Sequence, residues 1–300
     1  MMQSFVQYTP TKVVFGKDTQ KEAGKLVSEL GITKVFLVIR SGLLDEIKKS
    51  LDEEHISYEE FGGVKPNPRL SFARKGVEKA IAFGAELILA VGGGSAIDTA
   101  KGIAIGAANP GTDIWEFWKN KKELKKALPV GTVLTISAAG SEMSNSAVLT
   151  DEETQDKSGI GSDLIRPKFA IMNPKLTYTL PKYQLTCGIV DIFMHTIERY
   201  FTPVHGNELT DEIAEGLMRT LIRNAAKAYE NQEDYDAMSE IMWCGSISHN
   251  GITGLGRPKD FLCHKLGHQL GAKFDEAHGA TLSAVWGSWA RYVYHLDEAR

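Results

Sequence analysis

The stretch that most constrains the fold is Glu86-Leu-Ile-Leu-Ala-Val91, which runs straight into Gly92-Gly-Gly-Ser-Ala-Ile-Asp-Thr-Ala-Lys101. A short, near-continuous apolar run of this kind marks a strand buried on both faces, as in a parallel sheet covered by helices on both sides. The three glycines let the chain turn tightly, and the spacing predicts a helix from Ser95, with Ser95 and Asp98 as an S-x-x-D cap. A cap accounts for the serine and the aspartate but for at most one glycine. Removing three side chains ahead of a helix N-terminus leaves backbone N–H groups open to an anion such as a pyrophosphate. The turn is not the usual G-x-G-x-x-G dinucleotide fingerprint.

The neighbouring sequence keeps the same rhythm. Lys12–Gly16 reads as a strand, and Asp18 caps a helix that runs to Leu30 and stops at Gly31. Lys34–Ile39 is an apolar strand, followed by Ser41 and a helix through Leu51. Pro66-Asn-Pro68 breaks the chain before a helix over Leu70–Phe83, and Gly131–Ser137 supplies another strand. A second turn, Ser137-Ala-Ala-Gly-Ser-Glu-Met143, follows it. Alternation of this kind predicts a doubly wound α/β domain. Beyond Pro181 strand signals stop, and Gln184–Tyr200, Glu208–Glu230, Asp234–Asn250, Pro258–Leu270 and Gly279–Tyr294 all read as helices. At 300 residues the chain is long for one core. Two domains are expected, an α/β domain over 1–178 and a helical domain over 179–300.

Composition narrows the partners. A net charge of −4 gives no reason to expect nucleic acid or an anionic membrane. Three unpaired-looking cysteines, Cys187, Cys244 and Cys263, suit a reducing cytoplasm. The first residues lack the charge and apolar core of a signal peptide, and no apolar run approaches the roughly 20 residues of a membrane span.

The helical half carries the chemistry. In Cys187-Gly-Ile-Val-Asp-Ile-Phe-Met-His-Thr-Ile-Glu198, Asp191 and His195 lie four apart and so share one helix face. A carboxylate and an imidazole so placed supply two ligands for a divalent metal. Alone, the pair equally suits a cap and a core histidine. A second cluster, from Cys263-His-Lys-Leu-Gly-His268 to Glu276-Ala-His-Gly279, adds His264, His268 and His278, three of the chain's eight histidines. Cys263 is expected to be a core thiol, because consecutive helical residues point about 100° apart.

These motifs, with Lys65-Pro-Asn-Pro68 and Gly140-Ser-Glu142, occur along the whole chain in the order found in the iron-containing (group III) alcohol dehydrogenase family, and they resemble its NADP-dependent butanol dehydrogenase/aldehyde reductase branch. The resemblance implies a nucleotide-binding α/β domain followed by a helical metal domain of the dehydroquinate synthase-like fold. It implies one divalent ion, Fe(II) or Zn(II), held by Asp191, His195, His264 and His278, with His268 close by and not a ligand; on chemical grounds His268 reads either as a proton carrier or as a buried, hydrogen-bonded helix histidine. Cofactor contacts map onto Asn67, Gly93, Gly94 and Ser95, with Thr135 and Lys157. The implied reaction is reversible hydride transfer between a nicotinamide and a medium-chain primary alcohol or aldehyde such as butanol or butanal, in a homodimer involving Phe5–Tyr8. Three departures stand out: the turn at Arg40-Ser-Gly42 is shortened, Ala139 replaces a common Thr, and the family continues through more helices past the position of Arg300, so that the helical domain is expected to be truncated.

The chemistry follows from the donors. An Asp with three neutral imidazoles leaves a divalent ion residual positive charge with which to polarise a carbonyl oxygen. For the cofactor, an NAD site usually offers a carboxylate near the end of an early strand. Here no acid occurs until Asp45, while Arg40 and Ser41 are placed to meet a 2′-phosphate, so NADP(H) is expected over NAD(H). Phe193, Phe261 and Trp243 are the apolar candidates for the substrate pocket. The alternatives are a dehydroquinate synthase-like lyase using Arg257, Lys259 and Lys265, a glycerol dehydrogenase-like enzyme, and an inactive nucleotide-binding fragment.

Overall fold

The computed structural model describes residues 2–40 and 44–296. The chain divides into two compact units, one formed by residues 10–136 and 141–176, the other by residues 1–9, 137–140 and 177–300.

The first unit is built on a six-stranded parallel sheet. Its elements in order are β1 (Lys12–Phe15), α1 (Ala23–Ser28), β2 (Lys34–Ile39), α2 (Leu44–Glu53), β3 (Ser57–Gly62), α3 (Leu70–Phe83), β4 (Leu87–Gly92), α4 (Gly94–Ala108), α5 (Trp115–Trp118), β5 (Val130–Leu134), β6 (Ser146–Asp151), β7 (Asp156–Gly161) and β8 (Phe169–Met172). The sheet order is β1-β8-β5-β4-β2-β3, and β6 and β7 pair antiparallel as a separate hairpin. Every residue of β4 is buried, as its unbroken apolar run requires. One core lies among β2, β4, α1 and α2 and includes Val35, Leu37, Leu51, Leu87 and Leu89. A second packs Leu70, Ala73, Trp118 and Leu149 together.

Local expectations fail where side chains find longer-range partners. Asp18 adopts a left-handed conformation and caps nothing; its segment opens with a 3₁₀ turn over Thr19–Glu22, and α1 is correspondingly short. Ser95 and Asp98 do not form a cap. The N-cap of α4 is Gly93, and the Asp98 carboxylate instead accepts from Ser141 Oγ (2.6 Å) and the Val148 N–H (2.9 Å). The strand expected over Gly131–Ser137 ends at Leu134. β3, β8 and the β6–β7 hairpin go unpredicted: polar runs such as Ser57-Tyr-Glu-Glu60 and Asp156-Lys-Ser-Gly159 carry no apolar periodicity, and the apolar Phe169–Met172 is only four residues long.

The second unit is helical: α6 (Lys182–Tyr200), α7 (Glu208–Glu230), α8 (Tyr235–His249), α9 (Leu262–Phe274) and α10 (His278–Val293). Against expectation, α9 starts four residues later than Pro258 and runs past Gly271 to a left-handed C-cap at Asp275. α6 packs against α7, α8 and α10. Two apolar clusters hold the helices, one around Leu185, Ile192, Leu221 and Ile241, the other around Met194, Ile197, Cys263 and Leu282. No described helix is long and apolar enough to cross a membrane.

Candidate functional site

In the helical unit, α6 presents Asp191, His195 and Glu198 at i, i+4 and i+7, on one face. All three are buried, at 4%, 4% and 1% exposure, as is His264 of α9 at 5%. Ligand atoms of Asp191, His195 and His264 lie within 4.8 Å of one another. Asp191 Oδ1 is 2.9 Å from His195 Nδ1, 3.8 Å from His264 Nε2 and 3.9 Å from His278 Nε2. His264 Nε2 is 3.3 Å from His195 Nδ1. Four tetrahedral donors about 2.0–2.2 Å from one ion stand roughly 3.3–3.6 Å apart, so these separations bracket the span of a metal site. His195 Nδ1 also lies 2.9 Å from the Asp191 carbonyl, and among the described residues the buried Asp191 Oδ1 has no hydrogen-bond partner. A buried carboxylate oxygen left in that state is costly unless a cation meets it. The donor set therefore fits a divalent ion.

The electrostatics agree with this geometry. Burial pushes the Asp191 carboxyl up, but the charges of His195 and His278 and the contacts of His195 and His264 hold it well below the usual carboxylate range. Burial and neighbouring His264 push the His195 imidazole down. Burial also works against a charged His264, yet Asp191 and Glu198 more than offset it and raise that imidazole.

His278, the first residue of α10, sits at the rim of the trio, with its side chain 21% exposed. His268 is half-buried on α9 with its ring centroid 4.9 Å from that of His278. Of the three aromatic candidates, Phe261 lies beside the histidines, 5.1 Å from the His264 ring and 6.3 Å from the His195 ring. Phe193 packs with both apolar clusters, and Trp243 is 42% exposed on α8. Cys263 is fully buried and its thiol is pushed up to about 12, by burial first and by Glu198 next, which makes it a core thiol.

Two neighbours escaped the sequence reading. Glu198 shares hydrogen bonds with His264 Nδ1 and the Cys263 N–H. Its i+7 spacing from Asp191 was the available signal. His249 places its ring edge-on to His195, centroids 4.3 Å apart, with Arg199 Nη2 3.2 Å from its Nδ1; no motif marked it.

In the α/β unit, the glycine turn sits where β4 becomes α4. No side chain caps α4 at its N-terminus, so the amides there keep the anion-seeking character of a helix start. Gly93 is required by packing: a Cβ there would fall 1.9 Å from Ile136 Cγ2. Gly94 and Ser95 are the first residues of α4, and the Thr135 N–H donates to the Gly92 carbonyl (3.1 Å), which puts the end of β5 beside the turn. Lys157 Nζ, buried on β7, donates to Asn67 Oδ1 (2.8 Å). Arg40 follows β2 and is exposed; its N–H donates to Val91 O (3.2 Å), next to the turn. Ser41 lies outside the described residues.

Each unit has a counterpart among known proteins. Residues 10–174 match the model of the iron-containing alcohol dehydrogenases, and residues 186–300 match that of the Fe-containing alcohol dehydrogenase family, C-terminal. The chain is 39% identical to the NADH-dependent butanol dehydrogenase A of Clostridium acetobutylicum, over 99% of its own length and 77% of the relative's. It is 36% identical to the NADPH-dependent aldehyde reductase YqhD of Escherichia coli, over 95% of its length and 74% of the relative's. Among solved structures, it superposes with a TM-score of 0.96 on the NADH-dependent butanol dehydrogenase A of Thermotoga maritima, at 39% identity, covering 99% of this chain and 76% of that one. With a matched model for the parallel-sheet unit and another for the helical unit that carries the Asp-His cluster, the chain belongs to the iron-containing alcohol dehydrogenase family and is an alcohol dehydrogenase.

Proposed function

We propose that this enzyme interconverts a medium-chain primary alcohol and its aldehyde, of the butanol and butanal class, using NADP(H) and one divalent metal ion. The observation that carries the reading is the buried Asp191 Oδ1, without a hydrogen bond from the described residues and ringed by His195, His264 and His278. These four residues hold the ion. Bound there, it supplies Lewis acidity toward an alcohol or carbonyl oxygen. Mixed nitrogen and oxygen ligation suits Fe(II) and Zn(II) alike, while the family's description names iron. The substrate class is supported by the names of the relatives, butanol dehydrogenases and an aldehyde reductase. Phe261, beside the histidines, offers an apolar surface to an alkyl chain.

A bound nicotinamide would supply the hydride chemistry. Asn67, Gly93, Gly94, Ser95, Thr135 and Lys157 hold the nucleotide, with the diphosphate at the start of α4. NADP(H) is favoured by Arg40 at the end of β2, where no carboxylate follows until Asp45. The relatives' names divide between NADH and NADPH, and Arg40 supports the second. His268, beside His278, carries the proton. A homodimer fits the exposed apolar residues of the N-terminal segment, Phe5, Val6 and Tyr8.

A lyase acting on an acidic substrate is disfavoured: the Arg257 side chain is fully buried and pairs with Asp211 (2.6 Å), so its charge is already met. The test is anaerobic oxidation of NADPH by butanal, with Fe(II) or Zn(II) supplied and NADH in parallel. Turnover that chelator abolishes and that Asp191→Ala or His264→Ala removes supports the reading. Absence of metal binding by the native sequence refutes it.

A further inference from the structure

We infer that Glu198 is the positioning residue of the metal centre: it fixes the tautomer and orientation of His264 and ties the helix bearing Asp191 and His195 to the helix bearing His264. The inference rests on the metal reading proposed above and deepens it.

Glu198 is 1% exposed, and both of its carboxylate oxygens are engaged. Oε1 accepts the Cys263 N–H at 2.8 Å, and Oε2 accepts a hydrogen bond from His264 Nδ1. The first bond meets a need of α9. Phe261 at its N-cap provides no side-chain cap, and the Cys263 N–H is one of the amides that a helix start leaves without an internal partner. A carboxylate from α6 therefore serves as the cap, at the end of the helix dipole that favours negative charge.

The second bond settles which nitrogen of His264 is free. A carboxylate can only accept, so in the neutral ring the proton sits on Nδ1 and Nε2 keeps its lone pair. Nε2 is the atom that faces the cluster, 3.3 Å from His195 Nδ1 and 3.8 Å from Asp191 Oδ1. Metal-ligating histidines are held in this way by an outer carboxylate, and losing that partner typically weakens metal binding about 10–100-fold. Asp191, His195 and Glu198 come from one helix face, so a single stretch of chain supplies two ligands and the group that aims a third.

A residue that only capped α9 would have no effect on the ion beyond its effect on folding, and Glu198→Gln separates the two roles. The amide oxygen of the glutamine still accepts the Cys263 N–H. Its NH₂ group, however, presents a donor to Nδ1 and drives the His264 proton onto Nε2, the atom meant for the metal. The expected result, by chelator competition on the full chain with zinc as the probe, is an affinity about 10–100-fold below the native sequence, with the metal-free unfolding midpoint little changed. Equal zinc affinity in the two proteins overturns the inference and leaves the metal reading standing; no zinc binding by the native sequence overturns both. Should Glu198→Gln fail to fold, ¹⁵N spectra of the zinc-loaded native chain decide. A proton on His264 Nδ1 with zinc on Nε2 supports the inference, and the opposite assignment refutes it.

Discussion

The placement of His278 depends on a glycine, and Gly279→Ala measures that dependence. The start of α10 lies against the backbone of α6 one turn before Asp191. A Cβ at Gly279 would fall 2.0 Å from the Cys187 carbonyl oxygen, 2.7 Å from its carbon and 2.8 Å from Cys187 Cα. All three are backbone atoms inside a helix, so no rotamer change relieves the clash. Ordinary van der Waals contact begins at 3.4 Å, so the start of α10 must retreat by roughly 1.4 Å, whereas a functional constellation tolerates about 0.5 Å. His278 Nε2, already 3.9 Å from Asp191 Oδ1, moves with it. Overpacking of this kind costs about 1–3 kcal/mol, a drop of roughly 2–5 °C in unfolding midpoint for a chain of 300 residues. With one of four donors displaced, zinc affinity should fall tenfold or more, about 1.4 kcal/mol. The assay is chelator competition alongside thermal unfolding of the metal-free protein. Gly216→Ala is the control: nothing lies within 4 Å of a Cβ there, in the middle of α7, so it should stabilise by about 0.5–1 kcal/mol and leave zinc binding alone. Native zinc affinity in Gly279→Ala would refute the reasoning, because it would show that the approach of α10 to α6 does not set the position of His278.

Three further outcomes are expected. Gly93→Ala should weaken NADPH binding tenfold or more in a fluorescence titration while sparing zinc affinity, because its methyl would fall 1.9 Å from Ile136 Cγ2 and force the turn open. Arg40→Ala should raise the KM for NADPH by roughly 10–100-fold, the worth of about 1.5–3 kcal/mol in a charge-assisted contact, and leave that for NADH nearly unchanged; equal effects on both would remove Arg40 from 2′-phosphate recognition. Lys101 is buried with its ammonium donating to Ser141 O (2.7 Å), Ser144 O (3.1 Å) and Ser146 O (2.7 Å), and burial pushes it down to about 8 against the pull of Asp98. Between about pH 8 and 10.5 the unfolded chain therefore holds a proton that the folded chain has released, so this group makes stability rise with pH across that window. Urea unfolding at pH 7.5 and 9.5 should show that rise in the native sequence and lack it in Lys101→Met.

How much of this was legible in the sequence depended on how far each signal reached along the chain. The apolar run through Val91 and the period of Leu70–Phe83 predicted their elements well, because burial on two faces or on one stripe leaves a pattern in neighbouring residues. The Asp191/His195 pair was visible for the same reason, being four apart on one helix, whereas the later histidines stood out only as a cluster and their assignment as ligands came from the family resemblance. Asp98 was read as a local cap, whereas its partners lie 43 and 50 residues ahead, at Ser141 and Val148. Glu198 finds His264 across 66 residues and His249 approaches His195 across 54, distances over which no periodicity carries information. The polar strands β3 and β7 depend on pairing rather than on their own pattern and were missed on that account, and β6 was missed with its partner β7.

The same helix shows why the site is suited to a cation. α6 buries Asp191, His195, Thr196, Glu198 and Arg199, an expensive set to remove from water unless each group is met. Thr196 is answered by the Ile192 carbonyl at 3.1 Å, and Arg199 by the carbonyls of His195 and Ser248. Glu198 is answered by α9. Among the described residues, Asp191 Oδ1 and Arg199 Nε are the two atoms of this set that find no hydrogen-bond partner, and Asp191 Oδ1 is the one that faces the imidazoles. Two carboxylates against one guanidinium leave this stretch of helix one negative charge in excess when the imidazoles are neutral. A divalent ion among Asp191 and the histidines reverses that sign and leaves one positive charge, which suits a site that must favour negative charge on a substrate oxygen. An apolar residue at position 191 would serve the stability of the helix better, whereas a carboxylate there, near three imidazoles, suits the proposed metal site.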